Sequence, residues 1–236
     1  MDAAHEPAAL APLQLLYRCD RYVAVDKPPG VAVHRNAWDD QDARPVLQRL
    51  RDQLGQRLYP IHRLDGAATG VLVFALDPEA ARVAAEQFAA HTVDKRYHVI
   101  VRGWLDEGGE IDWPLAQRPG VAAVPARTAW RRLQQVELPR ACGRYATARY
   151  SLVEARPHTG RLHQLRRHFA HLRHPVVGDV RYGDGAHNRL WRALQEPGLM
   201  LRAVALRFVG VGGTIIDVQA PAGLHDALHR VVLRAV

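Results

Sequence analysis

The feature that most constrains the fold is a succession of short, period-two strand patterns with few helical segments between them. "LQLLYR" and "YVAVDKP" are separated by only three residues, 19–21, which predicts a hairpin. Further strand patterns follow: "GVLVFAL", "KRYHVIVRGW", "RTAWRRLQQVEL", "YATARYSLVEA", "LMLRAVALRFV" and "GTIIDVQAP". Because strands often follow one another directly, strict βαβ alternation is excluded. The sequence therefore predicts an α+β fold with a mixed, largely antiparallel sheet.

Helical patterns occupy most of the other periodic segments. Apolar residues at helical spacing predict a helix over 43–54 that ends at Gly55. A second helix follows Asp77, a favourable N-cap, and has Pro78 at its first position. Residues 106–128 are rich in Gly, Pro and Ala without a clear period, and the sequence indicates less order there than elsewhere. Three more helices are expected near residues 162–172, 186–195 and 223–233.

The charge of the chain is basic and locally concentrated. The sequence has 32 Lys and Arg against 24 Asp and Glu, a formal net charge of +8, and most of the cations are arginine. Residues 158–174, "HTGRLHQLRRHFAHLRH", contain four arginines, five histidines and no acid. Guanidinium groups make planar, bidentate contacts to phosphate, so this segment favours a phosphate-bearing partner. A hydrophobic content of 48% in 236 residues supports a folded core.

Several classes of protein are disfavoured by what the sequence lacks. The two cysteines, Cys19 and Cys142, match no metal or redox spacing, which favours a reducing cytoplasm. No apolar run reaches membrane-spanning length, and the first residues lack the pattern of a signal peptide. We expect residues 1–12 to be a flexible N-terminal arm and residues 13–236 to form a single domain. A monomer is the default expectation.

Asp65 is the first candidate for chemistry. It lies in "YPIHRLDGAATGVLVFAL", residues 59–76, before a small-residue loop that opens into an apolar strand. A loop carboxylate that a rigid strand presents to solvent is well placed for catalysis. The alternative is a turn aspartate whose side chain bonds the backbone near Gly66, as is common in loops.

Tyr97 is the second candidate. In "KRYHVIVRGW" it lies on the same strand face as Lys95, because side chains alternate along a strand. Two interpretations are open for its ring. It is either a half-buried packing residue or a ring that stacks on a base while its hydroxyl takes part in proton transfer.

The third candidate segment is "TGRLHQLRRHFAHLRHPVVGD", in which a helix carries Arg166 beside an apolar packing face. His168, His171 and His174 are spaced by three residues, which raises the question of a metal site. No carboxylate or thiolate accompanies them at matched spacing. We therefore expect phosphate contacts and packing here, and no metal.

In this order, the segments resemble the three motifs of the RluA-type pseudouridine synthases. "HRLD" with its loop and strand, "KRYHVIVRG", and "TGRLHQLRRHFAHLRHPVVGDVRYG" carry the resemblance. "VAVDKPPGVAVHR" at 23–35 is similar to a further N-terminal segment, so the likeness covers roughly residues 13–220. Within the family, residues 94–105 and 160–175 most resemble the synthases that modify uridine 65 of tRNA.

The resemblance implies a fold, a reaction and a set of roles. The fold is a mixed sheet in two lobes with a central active-site cleft. The reaction isomerises a uridine of RNA, with tRNA as the expected partner, and needs no cofactor or metal. Asp65 is implied to be the catalytic carboxylate, Tyr97 to stack on the flipped uracil and assist proton removal from its C5, and Arg166 to pair with the acid. RNA-contacting positions are implied at His62, Arg63, Thr69, Arg161, His163, Gln164 and Arg167, of which Arg63 enters the stack left by the flipped base.

The sequence departs from the family pattern in two places. The residues after the acid, usually Thr-Ser-Gly, are Ala68-Thr69-Gly70 here, and Arg202 stands where histidine is common. Neither change touches the acid, so activity is still expected, with altered loop rigidity or substrate contacts. The catalytic domain expected over 13–236 leaves no room for the extra N-terminal RNA-binding domain of some relatives. The open alternatives are a synthase acting on ribosomal RNA or another tRNA site, a non-catalytic RNA-binding protein, and a metal-dependent nuclease built on the histidine-rich helix.

Overall fold

A ten-stranded mixed sheet lies at the centre of the structure, a computed structural model that describes residues 11–34, 44–118, 120–221 and 223–236. One pair of neighbouring strands in the described sheet is parallel and the remaining pairs are antiparallel. Helices pack against this sheet. The predicted α+β class with a mixed, largely antiparallel sheet is therefore confirmed.

The strands include all those that the sequence patterns predict. They are β1 (Leu15–Arg18), β2 (Tyr22–Lys27), β3 (Tyr59–Pro60), β4 (Thr69–Ala75), β5 (Asp94–Arg102), β6 (Gly108–Asp112), β7 (Leu115–Ala116), β8 (Ala123–Val124), β9 (Arg127–Leu138), β10 (Ala148–Pro157), β11 (Leu201–Val209) and β12 (Ile215–Gln219). The order across the large sheet is β1-β2-β4-β11-β5-β10-β9-β6, with β3 paired to β4 and β12 to β11. β7 and β8 form a separate hairpin.

β4 and β11 form the parallel pair, and they meet where the loop that carries Asp65 runs into β4. Thr69 pairs with Arg202, and Gly70 pairs with Ala203. Gly70 has a φ of +103°, and a Cβ at this position would lie 2.0 Å from the Ala203 carbonyl oxygen. Only glycine combines this φ with so close a backbone approach. Gly70 therefore allows β4 to pair closely with β11 directly after the loop that carries Asp65.

The helices begin and end where local chemistry directs them. The Asp77 carboxylate caps its helix by accepting a hydrogen bond from the Ala80 N–H, and Gly55 ends another helix in the left-handed conformation, as predicted. None of the helices in the described ranges is long and apolar enough to cross a membrane. The helices are α1 (Val46–Leu54), α2 (Pro78–Ala89), α3 (Gln164–His171), α4 (Gly185–Ala193) and α5 (Gly223–Ala235), with a 3₁₀ turn at Val211–Gly213.

The buried apolar side chains form two clusters on the continuous sheet. The larger cluster contains most of β2 and β4 and extends to Phe169 of α3. In the smaller cluster, Trp191 of α4 packs edge-on against Tyr150 of β10, with 5.3 Å between ring centroids, and Leu228 of α5 joins them. Each such buried side chain contributes about 1.5–3 kcal/mol to folding. Alternate residues of β5 and β10 belong to different clusters, so the two clusters lie on opposite faces of the sheet.

Two segments were expected to be less ordered than the rest of the chain. Residues 106–128, which show no clear period in the sequence, contain β6, β7 and β8. β6 pairs along β9, and its Gly109 packs against the Trp130 ring, so tertiary pairing forms a strand where local propensity is weak. The arm expected over 1–12 lies largely outside the described residues. At its end, Ala11 is held to α1 by a hydrogen bond from Arg49 to its carbonyl oxygen.

Candidate active site

A cavity of about 650 Å³ opens where the loop before β4, the start of β5 and the start of α3 meet. Side chains from all three predicted motifs face it, although they are distant in sequence. The sheet order explains this meeting, since only β11 separates β4 from β5. The lining includes Arg63, Asp65, Lys95, Tyr97, Arg161, Leu162, His163 and Arg166.

Asp65 is joined to Arg166 within this cavity. Arg166 Nη1 donates to Asp65 Oδ2 at 3.0 Å, and the Asp65 side chain is 22% exposed. The turn that carries Asp65 is closed by backbone, because the Ala68 N–H donates to the Asp65 carbonyl oxygen. The alternative of a turn aspartate with its side chain bonded to its own backbone is therefore not what the structure shows.

Asp179 holds the other side of the Arg166 guanidinium. Arg166 Nε and Nη2 donate to the two Asp179 carboxylate oxygens at 2.7 and 2.9 Å. Asp179 also accepts the backbone N–H groups of Arg181 and Tyr182. Burial alone raises the pKa of Asp179, but these hydrogen bonds outweigh it and hold the pKa below its usual value. The bidentate geometry fixes the guanidinium plane and so the position of the group offered to Asp65.

Lys27 is fully buried and holds the backbone of the loop that carries Asp65. Lys27 Nζ donates to the carbonyl oxygens of Pro28, Gly66 and Ala68, at 2.7–2.8 Å. Burial lowers the pKa of Lys27 to about 8, although nearby Asp65 raises it. Two of the three acceptors, Gly66 and Ala68, lie within the turn that begins at Asp65, so this ammonium group ties that turn to the end of β2.

Tyr97 faces the same cavity from β5, beside Lys95 as strand alternation predicted. Burial, and then the negative charge of Asp65, raise the pKa of the Tyr97 hydroxyl above its usual value, so the phenol stays protonated at neutral pH. Lys95 Nζ donates to the Thr159 carbonyl oxygen at 3.0 Å and thereby joins β5 to the segment before α3. A ring and a carboxylate are thus presented to one cavity.

His163 lies on the other side of Asp65. Its Nε2 is 3.9 Å from Asp65 Oδ1, and its Nδ1 is 3.1 Å from the Tyr182 hydroxyl. Burial lowers the pKa of His163, with Asp65 opposing, so the imidazole is neutral at neutral pH. No hydrogen bond from the described part of the chain reaches Asp65 Oδ1, which leaves this oxygen available to a substrate.

The remaining predicted RNA-contacting residues fall into two groups. Arg63 and Arg161 line the cavity with exposed or half-exposed side chains, although Arg161 Nε also donates to the Pro125 carbonyl oxygen. Gln164 lines it too, but its amide bonds only to protein: Oε1 accepts from Thr159 and Arg161, and Nε2 donates to Arg127 and Thr128. The geometry therefore assigns Gln164 to holding the turn before α3.

Of the three other positions in that set, His62 and Arg167 bond within the protein, although His62 also lines the cavity. His62 Nε2 accepts the Val73 N–H at 3.0 Å, its ring stacks on Phe88, and burial lowers its pKa to about 3. Arg167 donates to the Ala116 carbonyl oxygen. Thr69 begins β4 and is absent from the cavity wall.

The three histidines spaced along and after α3 have separate partners. His168 bonds Thr128 and the Trp113 carbonyl oxygen, His171 stacks on the Trp113 ring, and His174 bonds the Arg102 carbonyl oxygen. Within the described ranges, no three His, Cys, Asp or Glu side chains are grouped to hold a metal ion. The nuclease alternative built on these histidines gains no support from this arrangement.

Comparison with known proteins decides the family. Residues 21–171, more than half of the chain, match the family described as RNA pseudouridylate synthase. The chain belongs to this family. The predicted resemblance is therefore confirmed, and the matched range contains Asp65, Tyr97 and Arg166.

Individual relatives of this synthase family agree over most of the chain. A Vibrio cholerae protein named tRNA pseudouridine synthase C is 48% identical over 208 residues, which cover 84% of this chain and 85% of the relative. A Haemophilus ducreyi protein of the same name is 47% identical and covers 83% and 85%. The solved structure of human RNA pseudouridylate synthase domain containing 1 superposes with a TM-score of 0.73 at 27% identity, over 92% of this chain and 86% of the human one.

Sequence reasoning missed three residues that build the site of this pseudouridylate synthase. They are Lys27, Asp179 and Tyr182, whose ring lies 5.3 Å from the Arg166 guanidinium carbon. Lys27 is one of only two lysines in the chain, and Asp179 is the first acid after the arginine-rich segment. The rarity of lysine and the position of Asp179 were therefore signals in the sequence. The groups that these two side chains bind depend on tertiary contacts, which the sequence does not display.

Proposed function

We propose that this protein converts a uridine of tRNA to pseudouridine, with Asp65 as the catalytic carboxylate. The observation that carries the proposal is the Asp65–Arg166 contact at 3.0 Å in a cavity that Tyr97 also lines. The relatives named tRNA pseudouridine synthase C support tRNA as the substrate. A non-catalytic RNA-binding protein has no use for an acid held in this way.

The reaction needs few groups, and the cavity offers them. The N1–C1′ glycosidic bond of the uridine breaks, the uracil turns, and C5 bonds to C1′. The C5 proton leaves and N1 gains one, so nothing is oxidised and no group is lost. Asp65 acts on the ribosyl-uracil unit through the oxygen that Arg166 leaves free, and Arg166 pairs with the negative charge. Tyr97 stacks on the detached uracil and assists removal of the C5 proton, while the bound RNA covers the open cavity and excludes water.

The target uridine must leave its stack before it can reach Asp65. Unstacking costs a few kcal/mol, which contacts between protein and RNA offset. Arg63 is exposed at the cavity and is suited to enter the vacated place, whereas Arg161 and His163 line the wall that the flipped nucleotide passes. We take uridine 65 of tRNA as the target, because residues 94–105 and 160–175 resemble the synthases of that specificity. The proposed enzyme acts as a monomer in the cytoplasm.

The experiment that tests this function maps pseudouridine by carbodiimide labelling. Purified protein is incubated with unmodified tRNA and, separately, with unmodified ribosomal RNA. We expect one new carbodiimide stop at uridine 65 of tRNA, and none when cytidine replaces that uridine. A stop only in ribosomal RNA, or at another tRNA position, would reassign the substrate, and no stop in either RNA would reject the function.

A further inference from the structure

A second cavity lies at the opposite end of β5 from the candidate active site. Its volume is about 750 Å³, and it shares no lining residue with the first cavity. Arg102 ends β5, and Gly103 and Trp104 follow it into this cavity. Tyr97 and Arg102 are five steps apart along the strand, which places their Cα atoms roughly 17 Å apart. The charged and aromatic side chains of its lining include Arg102, Trp104, Arg144, Tyr145, Arg149 and Asp184.

Two large aromatic side chains are exposed in this cavity, each beside an arginine. Trp104 is 44% exposed and Tyr145 is 58% exposed. The guanidinium carbon of Arg149 lies 4.1 Å from the Trp104 ring centroid, and that of Arg144 lies 5.1 Å from the Tyr145 centroid. Exposed rings with cations beside them are the combination on which nucleic-acid bases stack while phosphates pair with arginine.

The charges of the cavity are only partly balanced. Arg102 is paired with Asp184 at 2.6 Å, and Arg149 is paired with Glu137 at 3.2 Å. Arg144 bonds the Tyr145 hydroxyl and has no carboxylate partner among the described residues. An excess positive charge beside the exposed Tyr145 ring therefore remains for an anionic ligand.

We propose that this second cavity binds a nucleotide of the substrate RNA other than the target uridine. Its base stacks on Tyr145 or Trp104, and its phosphate pairs with Arg144. The proposal rests on the proposed function, since the RNA is the same molecule that offers its uridine to Asp65. Two contact points far apart on one protein make affinity depend on the whole folded RNA. They also orient that RNA over the catalytic cavity.

Two variants and a matched control test this binding site. Tyr145→Ala removes an exposed ring, and Arg144→Glu reverses an unpaired charge. Arg18→Glu is the control, because it makes the same charge change at an exposed position on β1. β1 is at one end of the sheet order, and Arg18 lines neither cavity. The dissociation constant for unmodified tRNA is measured by filter binding over a range of salt concentrations, and kcat is measured at saturating tRNA.

We expect Tyr145→Ala and Arg144→Glu to weaken tRNA binding by about 5- to 160-fold, the range that one stacked base provides. Arg144→Glu also makes the salt dependence less steep, whereas kcat at saturation and the Arg18→Glu variant stay at the wild-type level. Wild-type affinity in both cavity variants would overturn the proposal, as would an equal loss in Arg18→Glu. Binding is measured without turnover, so a protein that binds tRNA through this cavity but isomerises no uridine would reject the proposed function alone.

Discussion

Arg166 contacts Asp65 through a single nitrogen, Nη1, at 3.0 Å. Its other two nitrogens are held by Asp179, whose side chain is fully buried. Asp179 does not line the cavity, yet it fixes the Arg166 guanidinium and, through it, the position of Asp65. Lys27 adds a second cation near Asp65, but its ammonium group binds backbone carbonyl oxygens of the loop that carries Asp65 and no carboxylate.

Replacing Asp179 by Asn tests this support. We expect kcat to fall by about 10- to 100-fold, the usual cost of disturbing a group that orients a functional residue. The free energy of unfolding should fall by about 3 kcal/mol, because a buried guanidinium loses the bidentate one of its two carboxylate partners. The dissociation constant for tRNA should not change. Single-turnover kinetics, urea unfolding and filter binding measure the three effects. Asp217→Asn, at an exposed position on β12, is the control. An unchanged kcat in Asp179→Asn would show that Arg166 needs no support.

Replacing Lys27 by Met tests the attachment of the Asp65 loop. The substitution keeps the length of the side chain but leaves three carbonyl oxygens without their donor. We expect kcat to fall more than tenfold with little change in tRNA affinity, and stability to fall by about 1–3 kcal/mol. The measurements are the same as for Asp179→Asn. If kcat and affinity fell in proportion, the loop would serve binding and not the chemistry.

The lowered pKa of Lys27 predicts a pH dependence of stability. In the folded protein this pKa is about 8, against 10.5 for an ordinary lysine. Between these values the unfolded chain binds more protons, so the contribution of Lys27 to the free energy of unfolding rises with pH. The difference in that free energy, wild type minus Lys27→Met, should be flat below pH 8 and then rise by at most about 1.4 kcal/mol per pH unit up to pH 10.5. Urea titrations at pH 7, 8, 9 and 10 measure it. A difference that falls above pH 8 would contradict the assigned sign.

Gly70→Ala tests the junction between β4 and β11. A methyl group there would lie 2.0 Å from the Ala203 carbonyl oxygen, at a φ that alanine disfavours. We expect a loss of about 3 kcal/mol or more in the free energy of unfolding, because the backbone of a central strand must move. Gly55→Ala is the matched control, since its φ is +65° but nothing lies within 4 Å of the added methyl. It should cost only about 1 kcal/mol. Equal losses in the two variants would mean that β4 and β11 can separate at no cost.

Local patterns predicted the elements with strong periodicity and clear ends. The Asp77 cap, the Gly55 stop and the alternation of Lys95 with Tyr97 depend on neighbours within a few residues, so the sequence displays them. β6 was not predicted, because its Gly-Gly start has little strand propensity and its pairing with β9 is a tertiary contact. The parallel pairing of β4 with β11 is also a tertiary contact, and no local pattern in the sequence indicated it.

The site divides in the same way. The resemblance supplied Asp65, Tyr97 and Arg166, and the structure brings all three to one cavity. It did not supply Asp179, since an acid 13 residues beyond Arg166 becomes its partner only after the chain turns back past α3. The resemblance implied that Gln164 contacts RNA. In the structure the same amide satisfies the buried polar groups of the turn before α3.

Release of tritium from tRNA carrying [5-³H]uridine tests the role of Asp65 most directly. The Asp65→Asn variant keeps the shape of the side chain and its contact with Arg166 but removes the negative charge, so the fold and tRNA affinity should be retained. We expect tritium release to fall by at least about 100-fold, with Asp217→Asn at the wild-type level. Wild-type tritium release by Asp65→Asn would show that the reaction does not depend on this carboxylate.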